Sequence, residues 1–167
     1  MLYDSGGRRN ILGAMVQRDE AYARLIRLLA VRSHSEAELK RKLGARKLAE
    51  DKISAAIARA RSEGYVNDER FASEFARYGR DRKAWAPGRT RQELKQRGVA
   101  GDLIDVAITE VFAEFDLREQ ALELARARAR RMSGDSESNR RRLAAFLSRR
   151  GYSVSLCRDV VDEVAPL

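Results

Sequence analysis

"LKQRGVAGDLIDVAI" (residues 94–108) returns as "LSRRGYSVSLCRDVV" (residues 147–161), every paired position 53 apart. The register sets Leu94 against Leu147, Arg97 against Arg150, Gly98 against Gly151, Leu103 against Leu156 and Ile108 against Val161. Apolar residues at three- and four-residue spacing on either side of each glycine predict a pair of short helices joined there. The first part of the chain carries a third copy. "SEAEL" (35–39) and "TRQEL" (90–94) lie 55 apart, Ser35 and Thr90 each standing three residues before a glutamate, Glu38 and Glu93. Each reads as a capping box, in which the hydroxyl accepts from the third helical N–H and the glutamate reaches back to the cap N–H.

Other positions fall into the same period. Tyr22, Ile26 and Leu29 match Phe71, Phe75 and Tyr78 at a separation of 49, and Ile53 and Ile57 match Ile104 and Ile108 at 51. The first copy therefore carries extra residues around 45–50. Strand signals are weak: the chain has two prolines, few β-branched residues and no Asn-Gly or Asp-Gly hairpin turn. The predicted fold is all-α, three tandem three-helix repeats over 20–66, 67–116 and 117–167, after a flexible lead-in at 1–19. The helices are expected near 20–32, 35–43, 50–63, 68–82, 90–97, 101–115, 117–132, 139–150 and 153–164. A unit this small cannot bury its apolar faces alone, so neighbours must stack into an elongated array, straight or curved.

"GYVNDERFA" (64–72) tests whether the chain carries acid chemistry. As a helical joint every residue has a place. Gly64 takes the left-handed position that ends one helix, and Asn67 caps the next. Asp68 and Glu69 favour the positive end of the helix dipole, and Val66 and Phe71 form a hydrophobic staple. The rival reading makes Asp68, Glu69 and Glu74 ligands of a nuclease metal. A helix turns about 100° per residue, so adjacent Asp68 and Glu69 diverge instead of converging on one ion.

Charge sets the class of partner. Charged residues make up 35% of the 167 and apolar ones 44%; the net charge is +9 and the pI about 10.2. An acidic partner follows, either nucleic acid or an acidic protein face. Of 34 basic residues only six are lysine. That bias suits bidentate recognition of phosphate or carboxylate, and a GC-rich genome produces it as well. The single cysteine, Cys157, allows no intramolecular disulfide and fits a reducing cytosol. No apolar run approaches a membrane span, and the N-terminus lacks signal-peptide order, so the expected location is cytoplasmic. One histidine and one cysteine cannot make a zinc site. No phosphate-binding glycine loop is present. His34, just before the Ser35 cap, is expected to be exposed and without a catalytic partner. No cofactor, metal or enzymatic activity is expected.

The basic segments remain. Residues 70–97 hold nine cations against three acids, and Arg77, Arg80, Arg82, Lys83, Arg89, Arg91, Lys95 and Arg97 are the candidate binding residues there. Pro87-Gly88 reads as a turn between helices, with Trp85 either stacking on a base or wedging two helices. In "LARARARRM" (124–132), Arg128 falls inside the apolar stripe, Arg126 and Arg130 point away, and Arg131 flanks it. That helix end either projects into a partner or frays in solvent. Arg141, Arg149 and Arg150 complete the candidate surface, with Arg140 and Arg142 beside them. Residues 98–117 carry five acids and no Lys or Arg, so charge is segregated along the chain.

With these motifs in view, the chain resembles the RecX regulatory family. "RSHSEAELKRKL" (32–43), "GYVNDERFASEFARYGR" (64–80), "RTRQELKQRGV" (89–99) and "FLSRRGYS" (146–153) carry the likeness, in that order. It covers roughly 20–164. The resemblance implies tandem three-helix repeats and a non-enzymatic modulator of the RecA recombinase. Such a protein binds the RecA nucleoprotein filament and inhibits ATP hydrolysis, strand exchange and coprotease activity, by blocking filament growth or promoting disassembly. The expected partners are the filament and single- and double-stranded DNA, with no membrane, and the expected state is a monomer. The family has no catalytic residues to transfer. The alternatives are a free-standing DNA- or RNA-binding module and the metal nuclease considered above.

Overall fold

The structure, a computed structural model, describes residues 20–133 and 135–165; the expected lead-in at 1–19 lies outside them. Among the described residues there are nine helices and no strand. They pack as two compact units. One runs to Phe71 and takes in Arg97–Val99; the other holds Ala72–Gln96 and the chain from Ala100 onward.

The first unit contains α1 (20–31), α2 (Glu36–Gly44), α3 (Glu50–Ser62) and the start of α4 (Asp68–Lys83). Its core is the apolar stripe of each helix: Ala21 and Leu25, then Leu39 and Leu43, then Ile53, Ala56, Ile57 and Ala60, closed by Val66. Each fully buried leucine or isoleucine contributes about 1.5–3 kcal/mol before chain entropy is counted. At the end of α3, Gly64 has φ 76°. Its N–H donates to Arg61 O at 3.0 Å, and Tyr65 N–H donates to Ala60 O at 2.9 Å. This is the Schellman wiring that satisfies the last helical carbonyls. Asn67 Oδ1 accepts from Arg70 N at 2.8 Å and opens α4. Val66 and Phe71 are both buried.

Two residues around that joint do more than their local sequence predicts. Asp68 Oδ1 accepts from Glu36 N at 2.9 Å, so it also satisfies an orphan amide at the start of α2. Burial raises the Asp68 carboxyl above its ordinary pKa. Ser35 Oγ accepts from Glu38 N at 3.1 Å and donates to Arg97 O at 2.5 Å. Glu38 does not close the capping box. Its carboxylate takes a two-pronged bond from Arg32 at 3.0 and 3.1 Å and lies 3.2 Å from His34 Nδ1. The expectation that His34 is exposed is therefore corrected: it is 3% exposed, because Glu38 gives its ring a buried polar partner.

The second unit contains the rest of α4, then α5 (Pro87–Gln96), α6 (Gly101–Phe112), α7 (Leu117–Ala129), α8 (Ser136–Ser148) and α9 (Val154–Val164). Ile104, Ala107, Ile108 and Val111 bury the inner face of α6. Ala121, Leu122, Ala125, Leu143, Leu147, Tyr152, Cys157, Val160 and Val161 form the core of α7–α9, joined by Ala86. Here too a reading of the sequence is corrected. Pro87-Gly88 is not a turn between helices; Pro87 is the first residue of α5, where its missing N–H removes no helical bond. Thr90 consequently sits inside the helix and donates to Ala86 O at 3.2 Å instead of capping. Glu93 pairs with Arg89 one turn earlier. α8 likewise starts ahead of Asn139, at Ser136, with Asp135 accepting from Ser138 N at 2.9 Å.

The amides at the start of α5 are met by another turn. Ala86 N donates to Arg150 O at 2.8 Å and Gly88 N to Gly151 O at 3.2 Å. Gly151 has φ 85°, and a Cβ there would lie 2.8 Å from Arg89 Cα. Gly98, its partner in the repeat, has φ 74° and faces the Ala37 methyl. The recurring glycine thus both ends a helix and admits the N-terminal turn of an earlier one. Trp85 folds back on α4: its ring lies 5.9 Å from that of Phe75 and fills the space beside Gly79.

Candidate nucleic-acid interface

Segregation of charge along the chain does not survive folding. Two of the five acids of 98–117 meet cations of α4 and α5: Glu110 pairs with Arg77, and Asp105 with Arg91. Arg80 donates to Val111 O at 2.6 Å, placing a cation at the negative end of α6, and pairs with Asp81 at 2.7 Å. That guanidinium holds the Asp81 carboxyl below the usual range. Arg126 and Arg118 share Glu163, and Arg141 bonds Glu137 at 2.9 Å. Exposed pairs of this kind contribute about 0–1 kcal/mol to stability, but each sets a carboxylate beside the cation, which an incoming phosphate would have to displace. Arg97 has its own polar contact, and its backbone carbonyl holds Ser35.

The remaining candidates form no ion pair among the described residues. They are Arg82, Lys83, Lys95, Arg128, Arg130, Arg131, Arg149 and Arg150. Arg142 belongs with them, exposed and without an ion pair among the described residues, and its place as the third of three consecutive arginines is the only signal it carries in the sequence.

Two of these cations converge on Phe146. Arg150 Cζ stacks 4.0 Å from the ring centroid, and Arg128 Cζ lies 5.6 Å from it. One comes from the end of α7 and the other from the turn after α8, so only packing brings them together. Burial, with Arg149 and Arg128 close by, pushes the Arg150 pKa down from its ordinary value. Its Nε is buried without a hydrogen-bond partner. A guanidinium stacked on an aromatic face leaves its edge free for bidentate contact with a phosphate, and at Arg150, where Nε is buried, that edge is the pair of terminal nitrogens. On α4 Lys83 lies 5.8 Å from the Tyr78 ring, and Arg89 Cζ lies 5.8 Å from Trp85. Trp85 is thus occupied by Phe75 on one side and by a cation nearby, which makes it a packing residue.

No group of three or more His, Cys, Asp or Glu side chains suited to a metal ion occurs among the described residues. Asp68 is engaged with the α2 amide, while Glu69 and Glu74 are exposed. No described helix is long and apolar enough to cross a membrane.

Comparisons with known proteins place these features in a family. Three family profiles match in order: the first three-helix domain of RecX over residues 21–59, the second over 67–108 and the third over 116–161. The regulatory protein RecX of Trichlorobacter lovleyi is 34% identical over 149 residues, covering 88% of this chain and 97% of that protein. That of Salmonella typhimurium is 36% identical over 149 residues, 81% of this chain and 88% of its own. A crystal structure of regulatory protein RecX superposes with a TM-score of 0.78 at 22% identity, covering 97% of this chain and 79% of that one. RecX from Lactobacillus salivarius gives 0.72 at 18%, covering 92% and 99%. At those identities the structures speak for the fold, and the sequence matches for the family. The chain belongs to the RecX family of regulatory proteins, with three three-helix domains in tandem.

Proposed function

We propose that this chain binds the RecA nucleoprotein filament, and DNA with it. It inhibits the recombinase's ATP hydrolysis, strand exchange and coprotease activity by blocking filament extension or promoting disassembly. Family membership supports the RecA partner. The cations left without an ion pair among the described residues, with Arg128 and Arg150 gathered on Phe146, support the polyanion contact. The protein acts by binding, as a monomer in the cytoplasm, without a cofactor.

The test is DNA-dependent ATP hydrolysis by the cognate recombinase. Wild type is expected to inhibit at ratios well below one per protomer. Alanine at Arg128, Arg149 and Arg150 together should weaken inhibition at least tenfold. Alanine at Arg77 and Arg91, already paired with Glu110 and Asp105, should change it less than threefold. Failure of wild type to inhibit verified filaments refutes the regulatory reading. Equal inhibition by wild type and the unpaired-arginine variant refutes the proposed surface.

A further inference from the structure

A second basic surface lies in the first unit, apart from the cations of α4–α9. The groove between α1 and the end of α2 has a volume of about 580 Å³ and is lined by Arg24, Arg27, Leu28, Lys42, Leu43, Ala45 and Arg46. Four of these seven residues are cations and none is an acid. Arg24 pairs with Glu20 at 2.5 Å. Arg27, Lys42 and Arg46 are exposed and form no ion pair among the described residues.

A local explanation covers only part of this. Lys42 and Arg46 lie at the C-terminal end of α2, where the helix dipole favours cations. It does not account for Arg24 and Arg27, which α1 brings to the same groove from a separate helix. Their three-residue spacing puts both on one face of α1. Three unneutralised cations and a fourth on the rim make a like-charged cleft, which concentrates counter-ions between its walls.

The lining also says which polyanion fits. A protein partner needs a central apolar or aromatic anchor to bind well. The large exposed hydrophobic residues, Val31, Tyr65, Tyr78, Val106 and Val154, do not line this groove; of its two leucines Leu43 is 1% exposed and Leu28 is half-buried, packed against the core of the unit. What the groove offers is charge on flexible side chains, the recognition mode of a phosphodiester backbone. Resting on the nucleic-acid reading of the proposed function, we infer that the α1–α2 groove is a second, sequence-independent seat for nucleic-acid phosphates, held by Arg27, Lys42 and Arg46 with Arg24 at its edge.

The experiment measures binding of the full chain to a fluorescent single-stranded oligonucleotide over a range of salt. The variant is Arg27→Gln/Lys42→Gln/Arg46→Gln, all exposed positions; the first two are helical, where glutamine keeps helix propensity, and Arg46 lies in the turn after α2. The control removes the same charge from the same unit outside the groove: Lys40→Gln/Lys47→Gln/Arg61→Gln. Three phosphate contacts correspond to about two units of the slope of log K against log salt, or roughly a hundredfold in affinity at 0.1 M salt. The groove variant is expected to lose that slope and the control less than one unit, with melting curves like wild type. If wild type binds and the groove variant keeps its slope, the inference falls while the nucleic-acid reading stands. Equal losses in variant and control also overturn it, as a net-charge effect. No binding by wild type removes both. A groove variant with unchanged nucleic-acid binding that no longer inhibits filaments assigns the groove to an acidic protein face instead, and overturns the phosphate assignment.

Discussion

Gly151→Ala gives a sharp test of how the repeats are held. Three glycines share nearly the same left-handed backbone, with φ 76° at Gly64, 74° at Gly98 and 85° at Gly151, but they differ in what surrounds them. A Cβ at Gly64 meets nothing within 4 Å, so Gly64→Ala reports the left-handed strain alone, about 1 kcal/mol. At Gly151 the added carbon meets Arg89 N, and lies 2.8 Å from both Arg89 Cα and Cβ. Backbone cannot swing aside as a flexible side chain can, so the turn and α5 must separate. Overpacking of this kind costs about 1–3 kcal/mol. The Ala86–Arg150 and Gly88–Gly151 hydrogen bonds then stretch, at about 1 kcal/mol each. The excess over Gly64→Ala is therefore about 3–5 kcal/mol, a large share of the roughly 5–15 kcal/mol that holds a domain.

The single tryptophan suits the assay. Trp85 lies in the same unit as Gly151, two residues before α5, so its fluorescence in a urea titration follows the unit under strain. Urea unfolding should give a much lower midpoint for Gly151→Ala, followed at Trp85, than for Gly64→Ala, which lies in the first unit and is followed by helical circular dichroism. A difference below about 0.5 kcal/mol would show that the close approach is not a constraint, and the account of the recurring glycine would be wrong.

Further outcomes follow from the same contacts. Gly98→Ala should be destabilising through the Ala37 methyl, and Ala37→Gly should partly restore it; a double mutant no better than Gly98→Ala refutes that contact. Asp68→Ala should cost about 1–2 kcal/mol by orphaning the Glu36 amide. Asp68→Asn, which keeps the acceptor, should cost less than about 0.5 kcal/mol and retain inhibition, whereas a metal ligand would not tolerate it. Burial pushes the Glu38 carboxyl up, but Arg32 and His34 outweigh it and hold it at about 2, against an ordinary 4.5. A depressed carboxylate stabilises above its unfolded pKa, so this contribution is present above about 4.5 and lost as pH falls toward about 2. It amounts to up to about 3 kcal/mol, nearer about 2 with Arg32 half-exposed. Burial also lowers the pKa of His34 below 6.5, which adds to acid sensitivity, since the unfolded chain takes that proton first. Glu38→Gln should flatten the fall in urea midpoint at pH 3–5; an unchanged slope refutes the cluster's role.

The sequence by itself determined the helices, their grouping and the family. Periodic apolar residues and end signals are local, and "GYVNDERFA" carried its glycine, cap and staple in consecutive positions. Its limits appear where a local signal competed with a distant one. Ser35 acts as a cap, while Thr90 in the same motif does not, because Pro87 starts α5 earlier and the Arg150–Gly151 carbonyls receive its amides. His34 looked exposed beside a cap until Arg32 and Glu38 closed a buried cluster around it. Arginine content pointed to an acidic partner but not to a binding surface. Tertiary packing decided that Arg77 and Arg91 meet carboxylates, that Arg128 and Arg150 share Phe146, and that Arg27 and Arg46 line one groove. Helical periodicity places a side chain on a face of its own helix. Whether a charge on that face is neutralised depends on which other helix the fold brings against it.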